Sequence, residues 1–414
     1  MRDFLTFLKR CTVTAFSGTL RYKTWLAFLS AIVLIGLNAY SRQVAHGLVV
    51  TGLSDQVSWG FYIANFTYLV GIAAAAVLVV IPVYVYKNRA LRDLVVFGEA
   101  MAVAALLMCI AFVLVDLGRP DRFWHMIPFV GRVNFPRSIL AWDVIVLLGY
   151  LVINLYLGGY LVYARYRGRK PTWWKYMPVV FVSIVWAISI HTVTAFLYMG
   201  LAGRPFWNTA ILGPRFIASA FTAGPALIVI TLLVIRRVAN LVFGDDALLM
   251  LRRIIQVAII INLFLLMNEL FAEFYSSSLH SNSARYLYFG LGGSSELVPR
   301  IWTAVLIDFA ALLIFILPLS KKLSWLTFAC VLAVSGLWVE KGLGLVVPGF
   351  LPTPLGEVVV YRPSLIEIMI AIGIWAFGVL VYSMLVRVAL AVVQGRLSSE
   401  IYPEIPASTQ FASS

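Results

Sequence analysis

Asp116-Leu117-Gly118-Arg119-Pro120-Asp121-Arg122-Phe123-Trp124-His125, followed downstream by Ala141-Trp142-Asp143, separates two long apolar runs, 94–115 and 139–163. A helix needs roughly 20 apolar residues to cross the hydrocarbon core of a bilayer, and both runs are long enough. The quoted stretch is therefore a turn between two membrane-spanning helices. It places Asp116 and Asp143 where both helices reach one face of the membrane. Arginines, a histidine and tryptophans lie between the two carboxylates. A charge at membrane depth is costly and tends to be kept for a task.

Working outward, the same pattern fills the chain. Of its 414 residues 62% are hydrophobic and only 12% charged, and the mean hydropathy is +0.94. That balance excludes a soluble domain and indicates an all-α polytopic membrane protein. Ten spans are predicted, near 24–40, 59–86, 94–115, 139–163, 178–199, 216–235, 254–275, 301–319, 324–343 and 365–390. Continuous apolar runs satisfy their backbone groups as helices and lack the alternation of a membrane barrel. Residues 1–23 read as a basic amphipathic segment on the membrane surface, with no cleavable signal. Residues 24–392 form the transmembrane domain, and 393–414 are expected to be a disordered cytoplasmic tail.

Lys and Arg give the orientation. With a cytoplasmic N-terminus, 21 of the 32 basic residues fall on the inner side, so both termini are expected in the cytoplasm. The net charge of +14 is mostly this signal. Basic residues spread over short loops make no groove for nucleic acid. Cys11, Cys109 and Cys330 have no metal-like spacing, and neither C-x-x-C nor C-x-x-C-H occurs. No metal site, iron–sulfur cluster or attached haem is expected in this chain. The outer loop 118–137 carries Arg119, Arg122, Arg132 and Arg137 against the topology rule. A docked partner with an acidic surface would explain it.

Several polar residues stand out within the spans. Tyr62, Asn65 and Phe66 share a face by helical spacing, as a packing face or as part of a ring-binding wall. The run Gly71-Ile72-Ala73-Ala74-Ala75-Ala76 allows close helix approach. Glu99 lies near the inner end of its span, as a snorkelling residue or as part of a proton path. Asp116 either pairs with Arg119 as a helix stop or serves a ligand. Asp143 is either a helix N-cap or a proton acceptor. His191, Thr194 and Tyr198 share one face of the fifth span, an arrangement suited to proton transfer. Glu269 and Glu273 project together from the seventh span. Asp308 lies in the eighth span, Glu340-Lys341 at the end of the ninth reads as a local ion pair, and Glu367 opens the tenth. The apolar, proline-containing stretch 344–363 reads as a lid. Spans two to five and six to nine form two sets of four, with Arg215-Phe216-Ile217-Ala218 faintly echoing Phe61-Tyr62-Ile63-Ala64.

Taken together, these stretches resemble the NrfD/polysulfide-reductase-C family of membrane subunits. The resemblance rests on residues 59–76, 116–124, Trp142-Asp143 and Ser189-Ile190-His191-Thr192-Val193-Thr194-Ala195-Phe196-Leu197-Tyr198. Gly203-Arg204-Pro205-Phe206-Trp207, Pro214-Arg215-Phe216 and Lys341-Gly342-Leu343-Gly344-Leu345-Val346-Val347-Pro348-Gly349-Phe350 point within it to the DsrP subgroup, found in DsrMKJOP complexes of dissimilatory sulfur metabolism. The match covers roughly residues 20–392. It implies two four-helix bundles with flanking helices and a quinone, menaquinone or ubiquinone, at the outer half of the first bundle. It also implies partners: a DsrO-like iron–sulfur subunit on the outer face, a DsrJ-like triheme cytochrome c, a DsrM-like b-type cytochrome and a DsrK-like cytoplasmic iron–sulfur protein. Related subunits often carry a histidine where Asp116 stands before Leu117-Gly118-Arg119-Pro120.

Quinol oxidation releases two electrons and two protons, so such a subunit needs a ring pocket with proton acceptors in hydrogen-bond reach. Asp116, Asp143 and His191 are the expected proton-handling groups. Tyr62, Asn65, Arg119, Trp142 and Tyr198 are the expected pocket residues, and Glu99, Glu269 and Glu273 the expected proton path. Three other readings stay open: a b-haem subunit, a transporter, or an anchor without its own quinone site. The haem reading lacks a second intramembrane histidine, because His46, His125 and His280 fall in loops.

Overall fold

Apolar runs of this length have no partner for their backbone N–H and C=O groups except themselves. The computed structural model is accordingly helical throughout, with no β-strand among the described residues. It describes residues 2–84, 86, 91–127, 130–241, 243–275, 281–351, 353 and 356–399. In chain order the helices are α1 (Arg2–Phe16), α2 (Leu20–His46), α3 (Phe61–Ala73), α4 (Val77–Tyr84), α5 (Val95–Asp116), α6 (Ile139–Tyr166), α7 (Trp173–Met199) and α8 (Leu212–Ala239). They continue with α9 (Asp245–Tyr275), α10 (Ser281–Tyr288), α11 (Val298–Ile316), α12 (Leu323–Lys341), α13 (Leu343–Val346) and α14 (Leu365–Val393). Among the described residues ten spans are long and apolar enough to cross a membrane, with α3–α4 forming one and α12–α13 lying within another.

The predicted pair of bundles is present. α3–α4, α5, α6 and α7 pack as one four-helix group, and α8, α9, α11 and α12 as a second. The groups join where α8 lies along α3 and α7. α2 and α14 pack against each other, and α14 lies on α5. α3–α4 is the centre of the molecule: 94% of its span is buried, against 22% for the peripheral α2.

Sequence chemistry explains the helix ends and the breaks. Thr19 caps α2 by accepting from the Tyr22 amide, and Ser138 caps α6 through the Ala141 amide, each at 3.4 Å. Ser364 and Glu367 form a reciprocal capping box on α14. Between α3 and α4 the alanine run tightens into a 3-10 turn at Ala74–Ala76, against α5 and α8. Pro82 in α4 then has no N–H to return to the preceding turn. α2 and α14 cross at Gly36 and Gly373, where a Cβ on Gly36 would stand 2.7 Å from the Gly373 Cα.

Several boundaries differ from the sequence reading, α9 among them, which starts at Asp245 and not near 254. The surface helix stops at Phe16 and the first spanning helix starts at Leu20, because Thr19 supplies the cap. The stretch expected as a proline-rich lid begins with helical turns. Residues 343–346 form α13 and Pro348–Phe350 a 3-10 turn, with every side chain buried. Trp207 Nε1 donates to the Leu345 carbonyl at 2.9 Å and Arg204 Nη1 to the Phe350 carbonyl at 2.9 Å, which fastens the lid to the bundles. Pro352, Pro354 and Leu355 lie outside the described residues, as do Lys87, Arg89, His280 and the tail from residue 400.

Candidate functional site

Helical spacing brings three turns of α7 to one line. His191, Thr194 and Tyr198 are all completely buried, facing α3 and α6. Thr194 Oγ1 lies 2.8 Å from Asp143 Oδ1 on α6 and 2.9 Å from the Ile190 carbonyl, so one hydroxyl serves both acceptors. Asp143 is therefore not the α6 cap; Ser138 has that role, and Asp143 sits inside the helix at 1% exposure. One turn along α7, the Tyr198 hydroxyl meets Thr67 Oγ1 of α3, and Thr67 in turn donates to the Ile63 carbonyl at 2.8 Å. That order makes Tyr198 the donor to Thr67. Trp59, Trp207 and Phe216 ring Tyr198, with centroids 5.6, 5.2 and 6.0 Å away.

His191 has one nitrogen committed. Its Nδ1 lies 2.8 Å from the Ala187 carbonyl, which can only accept, so Nδ1 carries the proton. Nε2 is then a bare acceptor, and it has no protein partner among the described residues. A buried polar atom without a partner costs about 1–3 kcal/mol unless water or a ligand supplies one.

At the end of the same bundle lies a second polar group. The Tyr62 hydroxyl donates to Gln43 Oε1 of α2 at 2.6 Å, and Gln43 Nε2 donates to the Val115 carbonyl at 2.6 Å. Asp116 lies within electrostatic reach of Tyr62, and its Oδ1 is a buried atom with no donor among the described residues. Arg119 does not approach it. Instead Arg119 forms a bidentate pair with Asp121, both bonds at 3.0 Å, in the exposed 3-10 turn Pro120–Met126. That guanidinium holds the Asp121 carboxyl below the ordinary carboxylate range. The alternative in which Asp116 pairs with Arg119 is thus replaced by a local pair two residues away.

Other candidates fall elsewhere. Asn65 is completely buried, but its Oδ1 accepts from Trp338 Nε1 at 3.1 Å and Trp375 Nε1 at 2.9 Å. It ties α3 to α12 and α14. Trp142 is 37% exposed, packs on Phe135 and donates to the Pro136 carbonyl at 2.8 Å, away from Asp143. Glu99 is buried at 2% exposure, which removes the snorkelling reading, and its Oε2 has no partner among the described residues. It lies at the opposite end of the first bundle from Asp143, near Tyr84 and Tyr150.

Glu269 belongs to the second bundle, where Arg215 of α8 pairs with it and, at 2.5 Å, with Glu340. Glu340 and Lys341 consequently do not pair with each other. Lys341 Nζ reaches the Phe216 carbonyl at 3.2 Å and sits 4.2 Å from that ring's centroid. Glu273 lines a narrow cleft with Arg215, Glu269 and Tyr288.

The sequence reading did not single out Gln43, Thr67 or Arg215 as site residues. Arg215 had a legible signal, an arginine opening an apolar run. Gln43 had little, since a glutamine just past a span resembles any interfacial residue. Among the described residues no group of His, Cys, Asp and Glu is arranged to hold a metal.

The model of the family "Polysulphide reductase, NrfD" matches residues 49–351. The chain belongs to the NrfD family. A relative of Archaeoglobus fulgidus, described as an Hdr-like menaquinol oxidoreductase integral membrane subunit, is 24% identical over 93% of this chain and 97% of its own length. A Halobacterium salinarum relative, provisionally a membrane subunit of a dimethyl sulfoxide reductase, is 27% identical over 56% of this chain. A relative of Wolinella succinogenes, one of the chains of its polysulfide reductase, is 26% identical over 41%. The chain spans only about half the length of these last two, 55% and 56%. This NrfD-family protein is thus similar to subunits of oxidoreductases, two of which are described as membrane subunits.

Proposed function

We propose that the chain is the quinone-interacting membrane subunit of a respiratory redox complex. It exchanges electrons between membrane quinol or quinone and an iron–sulfur partner docked on its loop face. The observation that carries this reading is the buried line of proton-handling groups on α7: Asp143 held by Thr194, Tyr198 on Thr67, and His191 with an unused Nε2. The menaquinol-linked description of a relative aligned along almost the whole chain supports it.

The residues present suit a quinone. Its two oxygens need donors and acceptors at hydrogen-bond distance, and its ring needs apolar and aromatic walls. His191 Nε2 and Asp116 Oδ1 are buried acceptors without donors among the described residues, and half-buried Trp59, packed on Tyr198, offers an aromatic wall. When bound, the quinone supplies two-electron, two-proton redox chemistry. The chain's own work is to place acceptors and exclude water. Thr194 orients the Asp143 carboxyl. Ala187 fixes the His191 tautomer, so Nε2 is the atom that takes a proton. Gln43 orients the Tyr62 hydroxyl within electrostatic reach of Asp116, where many relatives by resemblance carry a histidine.

Its partners in this reading are those of a DsrP-type subunit in dissimilatory sulfur metabolism: a DsrO-like iron–sulfur protein, a triheme cytochrome c, a b-type cytochrome and a DsrK-like protein. Exposed Arg119, Arg122, Arg132 and Arg137 at the Asp116 end form the docking face for the first. The chain lies in a prokaryotic cell membrane with both termini cytoplasmic.

Quinone extraction and quinol-dependent electron transfer on the purified complex test the reading. Asp143→Asn and His191→Ala are expected to lower turnover by roughly 10²-fold, the usual scale for losing an acid–base group, with assembly intact. Absence of bound quinone in the wild type, together with no response to quinol, would overturn it. The alternative of a proton-conducting subunit without a quinone site is favoured by one observation, the charged cluster in the second bundle.

A further inference from the structure

That cluster sits apart from the α7 line and does not depend on a quinone. Arg215 on α8 pairs with Glu269 of α9 and Glu340 of α12. Asp308 of α11 is completely buried and lies against the Glu340 carboxyl. As carboxylates the two can only accept, which leaves both Asp308 oxygens and Glu340 Oε2 without a donor. A single proton on either one turns that contact into a hydrogen bond.

Charge balance points the same way. Two cations, Arg215 and Lys341, face three buried carboxyls, Glu269, Glu340 and Asp308, while Glu273 sits half-buried at the edge of the same cleft and outside this count. Lys341 lies over the Phe216 ring and donates to the Phe216 carbonyl, contacts that favour its charged form. With every group ionised the cluster would carry a net negative charge inside the bilayer, which is strongly disfavoured. One proton makes it neutral. The neighbouring tyrosines do not supply that proton. Tyr68 of α3 donates to the Val334 carbonyl at 3.1 Å, and Tyr288 of α10 stands on the Arg215 side.

We propose that Asp308 and Glu340 share one exchangeable proton, making the second bundle a proton-loading site. Its supply side is the cleft lined by Glu273, Glu269, Arg215 and Tyr288, which has space for about one water-sized molecule. A second cleft continues from Arg215 and Glu340 to Lys341, and Lys341 in turn neighbours His191 of the first bundle. Asn262 supports a hydrated interior. Wholly buried two turns from Glu269 on the same face of α9, it leaves both amide atoms without a partner among the described residues. The site exchanges a proton and no electrons. A proton arrives on the Asp308–Glu340 pair and leaves by the same carboxyls, and Arg215 stays ionised throughout.

Infrared spectroscopy of the full chain in lipid nanodiscs, in water and in heavy water, without quinone, tests this. A protonated carboxyl gives a C=O stretch that shifts on deuteration. Asp308→Asn and Glu340→Gln are each expected to abolish the same band, because either change leaves two cations facing two carboxylates. Loss in only one variant assigns the proton to a single carboxyl and overturns the proposal, as does persistence in both. Lys341→Gln is the independent variant should either acid variant fail to fold. It removes a cation, so one additional band is expected, and an unchanged spectrum overturns the charge count. Quinone binding plays no part in any of these readings, so failure here leaves the α7 site untouched.

Discussion

Thr194 is the side chain on which the α7 site turns. Its hydroxyl is 2.8 Å from Asp143 Oδ1. A hydrogen bond to a charged group is worth about 1.5–3 kcal/mol, so Thr194→Val is expected to slow quinol-dependent turnover roughly 10- to 100-fold. Thr194→Ser restores it, because the donor returns. Equal turnover in the valine and wild-type complexes would remove Asp143 from the reaction. Asn65 makes the opposite kind of case. It was legible as a buried polar residue on the right face, but its partners were not, because Trp338 and Trp375 lie far along the chain. Asn65→Leu strands two indole N–H groups at about 1–3 kcal/mol each. We expect a markedly lower thermal midpoint, and an unchanged midpoint would argue against the three-helix tie.

Among elements, the spans themselves were the legible part. Their length and apolar character follow from the bilayer, and the structure ends most of them within a few residues of where hydropathy does, with α9 the exception because it already starts at Asp245. Pairing across the fold was not legible. Glu340 and Lys341 are adjacent in sequence and look like an ion pair, yet helix geometry sends them to different neighbours, Arg215 and Phe216. Adjacent positions on a helix do not face each other. The crossing of α2 and α14 follows the same logic. Gly36 and Gly373 are single glycines in two apolar runs, and only the fold brings them together. Gly36→Val is expected to force the helices apart at about 1–3 kcal/mol, the usual cost of overpacking. α2 also carries Gln43, so the same variant should loosen the Tyr62 contact and depress turnover beyond its effect on stability. Scanning calorimetry beside a turnover assay separates the two, and a stability loss without any turnover loss would uncouple α2 from the site.

Across the whole molecule, charge is arranged by ends. The loops at the Thr19 and Ala239 end hold most of the lysines and arginines, while the Asp116 end carries the concentrated group at Arg119, Arg122, Arg132 and Arg137. In the proposed orientation the first set follows the positive-inside rule and the second runs against it, and the proposed acidic partner at that face would reconcile them. Exposed charges steer association more than they fix affinity. Replacing Arg122 and Arg132 by Glu should therefore slow docking of the iron–sulfur partner on the order of tenfold or more at low ionic strength. The difference should fade near 1 M salt, where the screening length falls to about 3 Å. Arg119 is the wrong choice for this test, since Asp121 already neutralises it. Association rates that ignore both substitutions at every salt concentration would place the partner on another face. Labelling of single cysteines at positions 132 and 321 from either side of sealed vesicles would then decide which end of the bundle looks outward.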